Sequence, residues 1–156
     1  MRRADAKSAY TQARLKGTPT WITLPWHQWP QKWKDLYHAG KLKRPVVPLI
    51  LALYGHPQSG GFWEEHCAER IGTQGFKQIC EEWPSCFFHE GLKLLLVIYV
   101  DDFKLSGPRD KLPEGWKLLS DVIDLDAPHD PDLYLGCVHR YHTIVLNNRT
   151  LLDYGV

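Results

Sequence analysis

The sequence predicts a mixed α+β domain built around an antiparallel meander, on three observations. The stretch LLLVIYVDDFKLSG, Leu94 to Gly107, is an apolar run that meets two aspartates and resumes a period-two pattern at Phe103 and Leu105, the signature of a strand turning into a hairpin. FWEEHCAERIG places Phe62, Cys67 and Ile71 near one helical face, with Gly72 as a stop. The connecting stretches are short and rich in turn formers, with no internal repeat and no low-complexity linker.

Taken in order, the chain opens with only four residues before Asp5, so any strand leading into that aspartate is cut short and the N-terminus reads as truncated. TWITLPWHQWPQKWKDLYHAGKLKRP follows, with Trp21 and Ile22 in a short extended piece and Pro25 and Pro30 as breakers. This basic, aromatic segment up to Pro45 reads as irregular, its rings forming a lid over the core, although interleaved Trp and Lys could also stack bases. RPVVPLILALYGHPQSGG is a second strand-like run, ending in Gly55 and a polar loop with Gln58. In the helix after it, Glu64 and Glu65 fall in the first turns, where the helix dipole favours them. A loop, a short strand from Cys86 to Phe88 and a turn at His89 to Gly91 lead into the long apolar strand, expected to be buried on both faces. Asp101 and Asp102 then sit at or near the hairpin turn. A short helix around Trp116 to Val122, an acidic proline-containing loop and two more strand candidates complete the chain.

At 156 residues, with 44% hydrophobic and 24% charged residues, the chain suits one soluble domain, residues 1–156. A net charge of +1 neither supports nor excludes a polyanionic partner. The four cysteines lack both disulfide-framework density and CxxC spacing, which fits a reduced, intracellular setting. CVHRYH, Cys137 to His142, is a cluster of soft ligands, but alternation puts Cys137, His139 and Tyr141 on one face and His142 on the other, which opposes tetrahedral zinc. No apolar run is long enough to span a membrane, and MRRADAKSAY has no apolar core of a signal peptide, so the protein is expected not to be secreted.

Two adjacent aspartates are by themselves ordinary turn residues, since the short side chain hydrogen-bonds nearby backbone. A metal reading needs a third carboxylate, because what relieves the repulsion of clustered carboxylates is a divalent cation with oxygen ligands. Three fragments supply it in order: ADAKSAYTQARLKG at Ala4 to Gly17, LYGHPQSGGFW at Leu53 to Trp63, and YVDD at Tyr99 to Asp102. In this order they resemble the catalytic segments of reverse transcriptases of copia-type retrotransposons, which read roughly DVKTAFLNG, LYGLKQAPRAW and YVDD. GF at Gly75 and YLG at Tyr134 extend the resemblance over nearly the whole chain.

The resemblance implies an RNA-directed DNA polymerase palm: an antiparallel sheet with helices packed on one face, incomplete fingers and no thumb. It implies that Asp5, Asp101 and Asp102 form the metal-binding triad for two magnesium or manganese ions. Tyr10 would be the aromatic residue beneath the sugar of the incoming nucleotide, and Gln58 and Tyr99 would lie on the nucleotide and template side. The implied partners are an RNA or DNA template with its primer, deoxynucleoside triphosphates, and the fingers, thumb and ribonuclease H parts of a polyprotein, in a cytoplasmic particle or the nucleus and without a membrane. The sequence departs from the family at HPQSGGFW, where Gly61 replaces a basic residue, and at PLILALYG, which is apolar where the family is basic. An isolated fragment of this kind is expected to be inactive; the alternative is a catalytically dead, diverged remnant that binds nucleic acid or protein at most.

Overall fold

Alternation along extended backbone organises this chain, and it shows first in the long apolar run. The structure, a computed structural model, describes residues 1–131, 133–146 and 149–155. Its strands are β1 (Arg2–Asp5), β2 (Trp21–Ile22), β3 (Val47–Pro48), β4 (Phe76–Gln78), β5 (Cys86–His89), β6 (Leu94–Tyr99), β7 (Asp102–Ser106), β8 (Leu133–Tyr134), β9 (Cys137–Val138), β10 (Arg140–Leu146) and β11 (Arg149–Gly155). The α-helices are α1 (Ala9–Gln12), α2 (Gln31–His38), α3 (Ser59–Gly72) and α4 (Leu112–Ser120). By internal contacts the chain divides into two units, one of Met1–Ala9 with Cys67–Val156 and one of Tyr10–His66.

The first unit holds an antiparallel sheet of five strands in the order β1-β7-β6-β5-β4. In β6 the side chains of Leu94, Leu96 and Ile98 are buried, whereas Leu95 and Tyr99 are exposed. The run expected to be buried on both faces is thus buried on one, because apolar composition cannot distinguish a two-sided strand from a one-sided strand that carries apolar residues outward. The buried face also takes Ala4 from β1, Phe103 and Leu105 from β7, and Phe87 from β5. Helix α4 lies against this face through Leu112, Trp116 and Leu119. Gly115 permits that approach, since a Cβ there would run into the side chains of Leu94 and Leu105. The helix expected around Trp116 begins earlier, at Leu112, with Pro113 in its first turn, where proline's missing N–H costs nothing. Beyond the sheet, β8 pairs with β9 and β10 with β11.

The second unit is organised by the two-residue ribbon β2–β3, Trp21 opposite Pro48 and Ile22 opposite Val47. The apolar run after Arg44 contributes only β3; Ile50, Leu51 and Leu53 are exposed, and Leu51 forms one isolated bridge with Arg14. The segment expected to be irregular holds a 3-10 helix at Trp26–Gln28 and α2, with Pro25 and Pro30 immediately before them. These prolines start helices rather than break them. α2 buries no residue: Trp33 and Leu36 are half-buried and Tyr37 is exposed. Helix α3 begins at Ser59 rather than near Phe62, ahead of two glycines. Ser59 is 1% exposed; its Oγ donates to the Leu53 carbonyl at 2.8 Å and accepts from the Leu53 N–H at 3.0 Å, fastening the LYG turn to the helix start.

Candidate active site

The polar face of the first unit's sheet is where the predicted carboxylates meet. Strand β1 pairs with β7 so that Asp5 is opposite Asp102 and Arg3 opposite Lys104, while Ala4 is opposite Phe103. Ala4 and Phe103 are fully buried. Since side chains alternate along a strand, that apolar pair sends Arg3, Asp5, Asp102 and Lys104 to the other face. On its far side Asp102 pairs with Tyr99 of β6, whose ring is 59% exposed.

The two-residue turn between Tyr99 and Asp102 carries Asp101, which is exposed. The Asp101 carbonyl accepts the Ala6 N–H at 2.7 Å, tying the turn to the end of β1. β1 is flanked on its other side as well: Asp126 N–H donates to the Asp5 carbonyl at 2.8 Å, and Arg3 and His129 exchange two backbone hydrogen bonds of 2.9 Å. Val100 holds φ +55° in this turn. For a β-branched residue that conformation is strained, and strain of this kind persists only where surroundings enforce it.

Arg3 lies between the facing carboxylates, its guanidinium 3.8 Å from Asp5 Oδ1 and 3.6 Å from Asp102 Oδ1. The Asp102 carboxyl is nevertheless pushed above its ordinary range. Burial is the largest cause, followed by the hydrogen bond with Asp5 and repulsion from the charges of Asp5 and Asp101; Arg3 only partly opposes them. Asp5 Oδ1 is itself buried and makes no hydrogen bond among the described residues. An unsatisfied carboxylate oxygen facing a second carboxylate is suitable donor chemistry for a hard divalent cation. Among the described residues no three His, Cys, Asp or Glu side chains are gathered closely enough to hold an ion by themselves.

Nearby, the Lys104 ammonium lies 4.7 Å from the centre of the Tyr134 ring. The Tyr134 hydroxyl is pushed up to about 12, by burial first and then by the charge of Asp102. The Lys104 Nζ is also 3.5 Å from His139 Nε2, and a cation there opposes a zinc ion on the Cys137–His139 segment. The side chains of Tyr141 and His142 lie outside the described ones.

The remaining candidates, Tyr10 and Gln58, are carried by the second unit. Tyr10 is half-buried with its ring 4.4 Å from that of Tyr54 at 36°. Gln58 is exposed just before α3, its N–H donating to His56 Nδ1 at 3.3 Å. The structure therefore brings Asp5 and Asp102 together with Asp101 on the adjoining turn. Sequence reasoning missed Arg3, although its spacing of two from Asp5 already puts both on one face of a strand. It also missed Ser59, which no pattern marks, and the strain at Val100. Comparison with known protein families, with curated proteins and with solved structures finds no match to the chain. No helix among the described residues is long and apolar enough to cross a membrane.

Proposed function

We propose that the chain is the palm portion of an RNA-directed DNA polymerase of the copia type, catalysing nucleotidyl transfer with two divalent cations. The observation that carries this reading is the facing of Asp5 and Asp102 across β1 and β7, beside a strained turn that bears Asp101. It adds to the ordered YVDD, LYG and DAKSAY segments. The chemistry supplied by magnesium or manganese, when bound, is stabilisation of the attacking 3′-oxygen and the leaving pyrophosphate oxygen.

This chain's own contribution is placement. Asp5, Asp101 and Asp102 would hold the cations through oxygen, and the sheet beneath them, packed through Ala4 and Phe103, fixes where those oxygens stand. Arg3 supplies positive charge to the same carboxylates, so a cation entering the site competes with the guanidinium. Tyr99 projects from the neighbouring strand as an exposed ring, available to substrate, and the resemblance gives Tyr10 and Gln58 nucleotide-side roles. The polymer partners are a template with its primer, and the small substrates are deoxynucleoside triphosphates.

Manganese serves as the probe of the site. Its enhancement of water-proton relaxation is expected to show weak, saturable binding to the wild type and a clear loss of affinity in Asp5→Asn and in Asp101→Asn. Equal affinity in all three proteins would sink the shared-site reading. Extension of a DNA primer on an RNA template is the functional readout in a fusion that adds a copia-type fingers region. Activity is expected there, is expected to disappear in Asp101→Asn of the fusion, and should be little or none in the isolated chain.

A further inference from the structure

The second unit carries an exposed aromatic and basic surface that the carboxylate site does not use. Between the ribbon strands β2 and β3 the chain makes an excursion through the 3-10 helix and α2. On it, the Trp26 ring is 4.8 Å from that of Trp29 and 5.3 Å from that of Tyr37, at 49° and 66°. Trp29 is fixed in turn by its indole N–H, which donates to the Leu24 carbonyl at 2.8 Å. The rings hold one another in tilted and edge contacts, the arrangement aromatic quadrupoles prefer, yet they do not close into a core. Trp26 and Tyr37 remain 45% and 46% exposed, and α2 has no buried residue.

Charge is concentrated on the same excursion. From Trp21 to Ile50 the sequence has Lys32, Lys34, Lys41, Lys43 and Arg44 against Asp35 alone. The Lys34 ammonium stands 5.8 Å from the centre of the Trp26 ring, while Lys32, Lys41, Lys43 and Arg44 are exposed and make no ion pair among the described residues. Asp35 is already engaged by Gln31 Nε2 at 2.8 Å. Solvated ring faces beside unpaired cations match a polyanion whose units carry their own π-faces. An anionic membrane surface fits less well, since an interfacial helix needs a broad apolar face and the only aliphatic residue of α2 is Leu36.

We propose that the Trp26, Trp29 and Tyr37 face, with its flanking lysines and Arg44, is a binding platform for single-stranded nucleic acid. Bases stack on the exposed rings and the cations track the phosphates. The site lies on residues apart from the carboxylates and requires neither metal nor turnover, so it stands or falls separately from the polymerase reading.

The test is quenching of tryptophan fluorescence by a short oligo(dT) in the presence of EDTA. Saturable quenching at low salt is expected, with affinity falling as salt rises by up to about 0.7 log unit per log unit for each phosphate contacted. Trp26→Ala and Tyr37→Ala should each weaken binding roughly tenfold, as loss of one stacked base does, while Trp26→Phe, which keeps a ring, should weaken it less. Lys41→Gln with Lys43→Gln should flatten the salt dependence. Circular dichroism checks that each variant is folded, and Tyr37→Ala with Trp26→Phe still decide the matter if Trp26→Ala does not fold. Absence of saturable binding at low salt would overturn the proposal. So would unchanged affinity in folded aromatic variants, equal binding of heparin or duplex DNA, or binding to phosphatidylserine vesicles without binding to the oligonucleotide.

Discussion

Replacing Asp102 by Asn should make the protein more stable at neutral pH, and the sign follows from the arrangement around that carboxylate. Ionised Asp102 faces Asp5 directly across two strands, has Asp101 beside it in the chain, and is partly desolvated, with Arg3 as the opposing influence at 3.6 Å. Arg3 loses this competition, because the Asp102 carboxyl remains above its ordinary range. A carboxyl whose folded pKa is raised contributes stability below the unfolded value of 3.8 and loses it as pH rises through the folded value. At neutral pH the ionised group is therefore a net cost. Asn keeps the shape, removes the like charge and can donate to Asp5. Like charges directly opposite each other on neighbouring strands cost about 0.2–1 kcal/mol, and 1 kcal/mol moves the melting point of a chain this size by about 2–4 °C. Melting in EDTA at neutral pH should thus show Asp102→Asn higher by up to a few degrees. The gain should shrink on acidification and vanish well below pH 3.8, where the wild-type carboxyl is protonated in both states. Saturating manganese should narrow the gap by stabilising only the wild type fully. A lower melting point at neutral pH, or a gain that persists in acid, would refute the reasoning.

Two further substitutions probe what fixes the motifs in place. Val100→Gly should raise stability by about 1–2 kcal/mol in urea unfolding, since glycine takes φ +55° without the Cβ penalty; a loss of stability would show that packing of the valine outweighs the strain. Ser59→Ala should cost about 0.5–1.5 kcal/mol, because it removes both hydrogen bonds by which the buried Ser59 hydroxyl holds the main chain of Leu53; a change within error would mean that water replaces the hydroxyl.

The hairpin and its period were legible in the sequence because both are local: Phe103 and Leu105 alternate with polar neighbours, and the structure buries those two and leaves the others on the opposite side. The burial of β6 was not, because Leu95 and Tyr99 resemble core residues in kind and differ only in the direction in which the strand sends them. The prolines misled for a related reason. Pro25 and Pro30 end one backbone conformation and begin another, and composition does not say which side of a proline a helix lies on. The pairing of Asp5 with Asp102 joins residues far apart in the chain, so no window of sequence contains it; only the resemblance put them together beforehand. Arg3 is within reach of simple alternation, since residues two apart in β1 share a face with Asp5.

Two costs fall on the same turn. Val100 adopts a backbone conformation that β-branched residues avoid, and close after it Asp102 is held above its ordinary carboxyl range by burial, by its hydrogen bond with Asp5 and by the charges of Asp5 and Asp101. Either could be relieved by one substitution, glycine at the first position or an amide at the last, with the strands and the core beneath untouched. Stability therefore gives no reason for a valine and two aspartates to share this turn. A cation that binds the acids does give one, because it converts their repulsion into attraction and uses the placement that the strained turn enforces. A remnant with no site to maintain would have no such use for the combination. The two readings accordingly predict different responses to metal: in the polymerase palm, manganese should raise the melting point of the wild type more than that of Asp102→Asn, whereas in a remnant it should shift both by the same amount or not at all.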